Sequence, residues 1–120
     1  MQFDLRLVAA ATLVALTSSA PKAETVGIVG NGASSCAQFV REISRKPETE
    51  LTYFAWTQGF LSGALLRAPK GVDEDLDLLP SWFPLDKQVQ FLRAFCAENP
   101  IQDYMDGAHA LFRRLKGPRT

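Results

Sequence analysis

Apolar positions along the chain fall into groups that repeat at helical spacing. Cys36, Phe39, Val40 and Ile43 recur at intervals of three and four, which places them on one stripe of a first helix. Ser34 or Ser35 can cap its start. Lys46-Pro47 ends it, because the residue before proline is pushed out of the α region. A second helix is expected from Glu48 or Thr49 to about Arg67, with Leu51, Phe54, Leu61 and Leu65 on one stripe and Tyr53, Trp56 and Phe60 on another. A helix apolar on more than one face is expected to be central and packed on several sides. Gly59 and Gly63 lie one turn apart within it, and each costs up to ~1 kcal/mol in helix propensity relative to alanine. The expected compensation is close packing of another helix, or of the disulfide, against the bare backbone beside Trp56.

Residues 68–83 carry Pro69, Gly71, Pro80 and an acidic run, so they read as the longest irregular stretch, with Leu76, Leu78 and Leu79 adding a short turn. Pro84 or Asp86 opens a third helix in which Leu85, Val89, Leu92 and Cys96 share a face. Asn99-Pro100 suits the N-cap and first position of a fourth helix, with Gln102 completing the cap. Its stripe is Ile101, Tyr104, Met105, Ala108, Leu111, Phe112 and Leu115, and Gly117-Pro118 stops it. No segment alternates like a strand between hairpin turns. The expected fold is all-α, a compact bundle of about four helices.

The chain start reads differently. Arg6 is followed by an apolar run from Leu7 to Leu16 and then by small residues, the pattern of an export signal over residues 1–23. The run is well short of the roughly 20 residues that span a bilayer. The expected organisation is therefore a signal peptide (1–23), a flexible glycine-rich lead-in (24–33), a helical domain (34–116) and a short tail (117–120). A soluble exported product is expected, most simply in a bacterial periplasm and with no membrane attachment after cleavage.

Export changes the meaning of the cysteines. Cys36 and Cys96 are the only two, and an even count in an oxidising compartment implies one disulfide. Removing the signal leaves 11 basic and 12 acidic side chains, a formal charge of −1. That balance gives no electrostatic reason to expect nucleic acid or an anionic membrane as partner.

Candidate chemistry is sparse. His109 is the only histidine, beside the apolar stripe rather than on it, so no metal set can be assembled around it. Asp73, Glu74, Asp75 and Asp77 resemble a calcium loop superficially, but Leu78 and Pro84 stand where an EF-hand needs glycine and glutamate. Gly59-Phe60-Leu61-Ser62-Gly63 has the wrong spacing and setting for a nucleophile elbow. No C-x-x-C pair is present for thiol exchange. These readings point to a non-catalytic protein without a cofactor. Trp82 and Phe83, between Pro80 and Pro84, either lid the helices or form an exposed apolar patch for a partner.

Three pieces in order resemble a known family. They are Ser35-Cys36-Ala37-Gln38-Phe39, Trp56-Thr57-Gln58-Gly59-Phe60-Leu61-Ser62-Gly63, and Phe95-Cys96-Ala97-Glu98-Asn99-Pro100 before a terminal amphipathic helix. Together they look like small exported proteobacterial proteins of the HdeA/HdeB type, over residues 34–116. The resemblance implies an HdeA-like helical periplasmic fold with one disulfide, often dimeric, and a stress-response chaperone that opens in acid to hold unfolded clients. The tryptophan–glycine motif is more typical of the family's uncharacterised branch, and the acidic, proline-rich loop before Pro84 is unlike a minimal member. The outline also resembles periplasmic immunity proteins, which implies a secreted antibacterial toxin as the alternative partner.

Overall fold

A computed structural model describes residues 27–117. The signal-peptide assignment, the first residues of the lead-in and most of the short tail lie outside the described residues. Four α-helices follow a 3-10 turn (Gly30–Ala33): α1 (Cys36–Arg45), α2 (Thr49–Arg67), α3 (Leu85–Glu98) and α4 (Tyr104–Leu115). Among the described residues there is no strand, only an isolated bridge between Ser35 and Asp103. The chain is a small all-α bundle closed by one disulfide, as its periodicity and cysteine count imply.

Cys36 and Cys96 are bonded, with both side chains buried and their Cα atoms 4.6 Å apart. The link joins the first residue of α1 to the end of α3. Ser35 caps α1, its hydroxyl accepting from the Gln38 amide at 3.1 Å. The first amides of a helix have no partner within it and must find one elsewhere. Here the Cys36 amide donates to the Gln102 carbonyl (2.7 Å) and the Ala37 amide to the Pro100 carbonyl (3.1 Å), while the Tyr104 amide donates to the Ser34 carbonyl (2.8 Å).

That exchange corrects the expected start of the fourth helix. Residues 100–103 do not begin α4, because their carbonyls satisfy α1. Asn99 instead ends α3, its side-chain amide donating to the Phe95 carbonyl at 2.8 Å. The helix starts at Tyr104, where the Asp106 carboxylate accepts from the Asp103 amide at 3.0 Å. Ile101, expected on the buried stripe, is 95% exposed for the same reason. The buried face of α4 is Tyr104, Gly107, Ala108, Leu111 and Leu115.

The core centres on three aromatic rings, Phe39, Tyr53 and Tyr104, from three helices, with centroids 4.8 to 4.9 Å apart. Such pairs contribute ~1 kcal/mol each beyond their buried area. Burial pushes the Tyr104 hydroxyl well above its ordinary pKa, so it stays protonated, and it pairs with the buried Thr57 hydroxyl at 3.1 Å.

α2 buries Tyr53, Phe54, Thr57 and Leu61, with Trp56 and Phe60 stacked at the edge of the core. Both expected stripes thus reach the core, although Leu51, at the start of the first, is exposed. The close packing expected at Gly59 and Gly63 is absent: a Cβ at either position would meet nothing within 4 Å. Close approach occurs instead at glycines the helical pattern did not single out, Gly30, Gly32 and Gly107. A Cβ on Gly32 would sit 2.0 Å from the Trp56 ring, and one on Gly107 would sit 3.0 Å from the Phe95 ring. Trp56, edge-on to Tyr104 of α4, also packs on the 3-10 turn, its indole N–H donating to the Val29 carbonyl at 3.1 Å. Residues 27–33 are therefore not a loose lead-in; the indole gives the glycine-rich turn a surface to sit on.

These contacts give two expected outcomes. Gly32→Ala forces the indole out of place and lowers stability by ~2 kcal/mol, within the range for overpacking. Gly59→Ala and Gly63→Ala raise it, each by up to ~1 kcal/mol, because helix propensity improves with no clash. Urea midpoints of the three variants check the contrast, and a loss at Gly59 or Gly63 contradicts it. Replacing both cysteines by alanine removes a cross-link spanning sixty positions and costs ~4 kcal/mol by the chain-entropy relation. Denaturant melts of the oxidised and cysteine-free proteins measure it.

Candidate functional site

The segment between α2 and α3 is irregular but held at many points. Gly71 and Asp73 turn the chain with positive φ. The Glu74 carboxylate accepts from the Gly71 amide at 2.6 Å and the Asp77 carboxylate from the Leu79 amide at 2.8 Å. Asp73 pairs with Lys116 of α4 at 2.9 Å. The acidic run thus serves the segment's own turns and a neighbouring lysine. Gln88, which is 2% exposed on α3, donates its side-chain amide to the Leu78 carbonyl (2.9 Å) and the Phe83 carbonyl (3.0 Å). A buried amide finding two backbone acceptors fixes the segment from inside.

Held this way, the segment puts apolar side chains into water at regular intervals. Leu79 is 54% exposed, Trp82 50% and Leu85, at the start of α3, 43%. The two sequence-predicted partner residues divide their roles. Phe83 is half-buried, lies edge-on to Phe91 and lids the core margin. Trp82 stacks on Phe83 at 5.6 Å and keeps much of its surface outside. The Arg114 guanidinium sits 5.1 Å from both ring centroids, a cation–π contact that orients the pair. Beside Trp82 lies an open cleft of about 480 Å³ walled by Asp75, Asp77 and Lys116.

On the other side of Leu85, α2 and α3 stand apart. Leu51, Phe54, Leu85 and Val89 line an apolar groove of about 350 Å³. Leu51 rims it at 68% exposed. Arg93 spans the gap to Glu50 with a two-pronged pair, at 2.9 and 3.2 Å to one carboxylate oxygen, and closes one end. Leu85 and Leu51, which share this groove, and Leu79 and Trp82, exposed on the segment leading into α3, make up the exposed apolar band. Large exposed apolar groups gathered in one region are the usual mark of a surface that meets another molecule.

The remaining sequence candidates lie elsewhere. His109 is exposed, its ring edge-on to Phe60 at 5.2 Å. Trp56 of α2 packs on the 3-10 turn, and Gly59 lines a shallow apolar hollow with it. Among the described residues, no three histidine, cysteine or acidic side chains are grouped to hold a metal ion. No helix there is long and apolar enough to cross a membrane. Gln88 is the site residue the sequence reading passed over. Its position four residues before Leu92 and eight before Cys96 puts a polar side chain on the buried stripe, the one signal that marked it. No protein-family model, curated protein or solved structure matches this chain.

Proposed function

We propose that this is an exported, non-catalytic binding protein that holds other polypeptides against its apolar band, in the manner of a stress holdase in the periplasm. The observation that carries the reading is the band itself: Leu79 and Trp82 kept in solvent by a segment tied down at Gln88, Asp73 and Asp77, and Leu85 of α3 and Leu51 of α2 exposed on the groove between those helices. Burying apolar surface is the general driving force for holding non-native chains, at roughly 25 cal/mol per Å². The disulfide supports the reading too, since it lets the helices loosen without the chain coming fully apart. The resemblance to the HdeA/HdeB type points the same way and adds acid as the trigger.

One contact is specifically acid-sensitive. Glu42 of α1 accepts from the Gln38 side-chain amide at 2.8 Å and from the Tyr53 hydroxyl of α2 at 2.7 Å. These two hydrogen bonds, Gln38's first, hold its carboxyl below the ordinary value, with Arg41 and Arg45 adding to the effect. A depressed carboxyl stabilises the fold above its unfolded pKa, and the contribution is lost as pH falls through the folded value. Acid therefore weakens the tie between α1 and α2.

Light scattering of a denatured client tests the holding activity. The oxidised protein is expected to suppress aggregation near pH 2–3, below the ordinary carboxylate range. A Leu51→Ser/Trp82→Ser/Leu85→Ser variant is expected to lose most of that protection while keeping its helical spectrum. Protection no better than an inert protein of similar size, or undiminished in the variant, overturns the proposal. For the acid contact, Glu42→Gln is expected to cost ~1 kcal/mol at neutral pH. The deficit should disappear in strong acid, where Glu42 itself is protonated, and urea melts at the two conditions measure this.

A further inference from the structure

Beneath Leu78 and Leu79 lies a cavity of about 110 Å³, enclosed by α2 on one side and Gln88 on the other. Its apolar wall is Phe54, Leu61, Leu78 and Leu79, and Gln58 and Ser62 stand at its mouth. Three features separate it from a packing defect. The roof cannot sink, because the backbone carbonyls of Leu78 and Phe83 are tethered to the Gln88 side chain. The floor is fixed by Thr57, which is fully buried and paired with Tyr104. Leu79, which lines the space and has apolar room below it, remains 54% exposed instead of filling it.

The chemistry of the lining selects an occupant. Both hydrogens of the Gln88 amide are committed to backbone carbonyls, which leaves its side-chain carbonyl as the acceptor this lining residue can offer a ligand. An apolar cavity of about 150 Å³ accepts benzene; this one, at about 110 Å³, is smaller, and takes a single ring or a branched chain only with part of it in the open mouth. We propose that the cavity is a binding site for a small apolar molecule bearing one O–H or N–H donor, with the ring-sized body against Phe54 and Leu61 and the donor on the Gln88 carbonyl. This site shares Leu79 with the exposed band and Phe54 with the neighbouring groove, but it does not depend on the holdase reading.

Phenol is the probe, with toluene as the same shape without the donor. Titrated into the oxidised isotope-labelled protein, millimolar phenol is expected to give saturable amide shifts centred on Thr57, Leu61, Ser62, Leu78 and Gln88. Toluene is expected to bind roughly tenfold more weakly, the ratio that one satisfied hydrogen bond supplies. Ser62→Leu, at an exposed helical position, fills the mouth and is expected to abolish both sets of shifts. Gln88→Met is expected to erase the preference for phenol, and if it unfolds, the toluene comparison and Ser62→Leu still decide. Non-saturable or scattered shifts, unchanged binding in Ser62→Leu, or toluene binding as tightly as phenol overturns the proposal.

Discussion

The fold depends on a single knot, where the start of α1 meets the corner between α3 and α4. The Cys36–Cys96 bond lies at its centre, and three backbone hydrogen bonds surround it, from Cys36, Ala37 and Tyr104 to carbonyls across the corner. Each half requires the other. A helix start buried beside another chain segment needs acceptors for its first amides, and residues 100–102 supply them only because they are not helical. The cross-link in turn keeps the two segments in register while the rest of the bundle assembles. A domain of this size retains a stability of only ~5–15 kcal/mol, so a staple contributing ~4 kcal/mol is a large share of it.

The helices and the cross-link were legible because they rest on local periodicity and on counting cysteines. What was not legible was which neighbour each helix would meet. Asn99-Pro100 carries a strong local signal for a helix start, yet a partner's need for acceptors outweighs it. The glycines make the same point. Gly59 and Gly63 stand out in sequence because they are costly inside a helix, but cost does not reveal a contact, and their side of α2 is open. Gly32 looked like one more small residue in a lead-in, and only the three-dimensional seat of Trp56 makes it indispensable. Trp82 and Phe83 were legible as a pair and not as individuals, since adjacent residues on an irregular segment point in directions no periodicity sets.

The position of Gln88 joins these structural points to function. A polar residue on a buried stripe is unfavourable unless its groups are paired. Here the pairing runs to the backbone of a segment with no regular structure of its own, so the cost inside α3 is offset by order outside it. That order keeps Leu79, Trp82 and Leu85 facing water, where an untethered loop would fold them back onto the core. It also spans the cavity beneath, which the same two hydrogen bonds prevent from collapsing. Exposed apolar surface and internal space both cost stability, and a protein with a thin margin retains them only where something holds them in place. A neutral amide does so together with the Glu74 and Asp77 carboxylates and the Asp73–Lys116 pair, while the Glu42 contact ties α1 to α2.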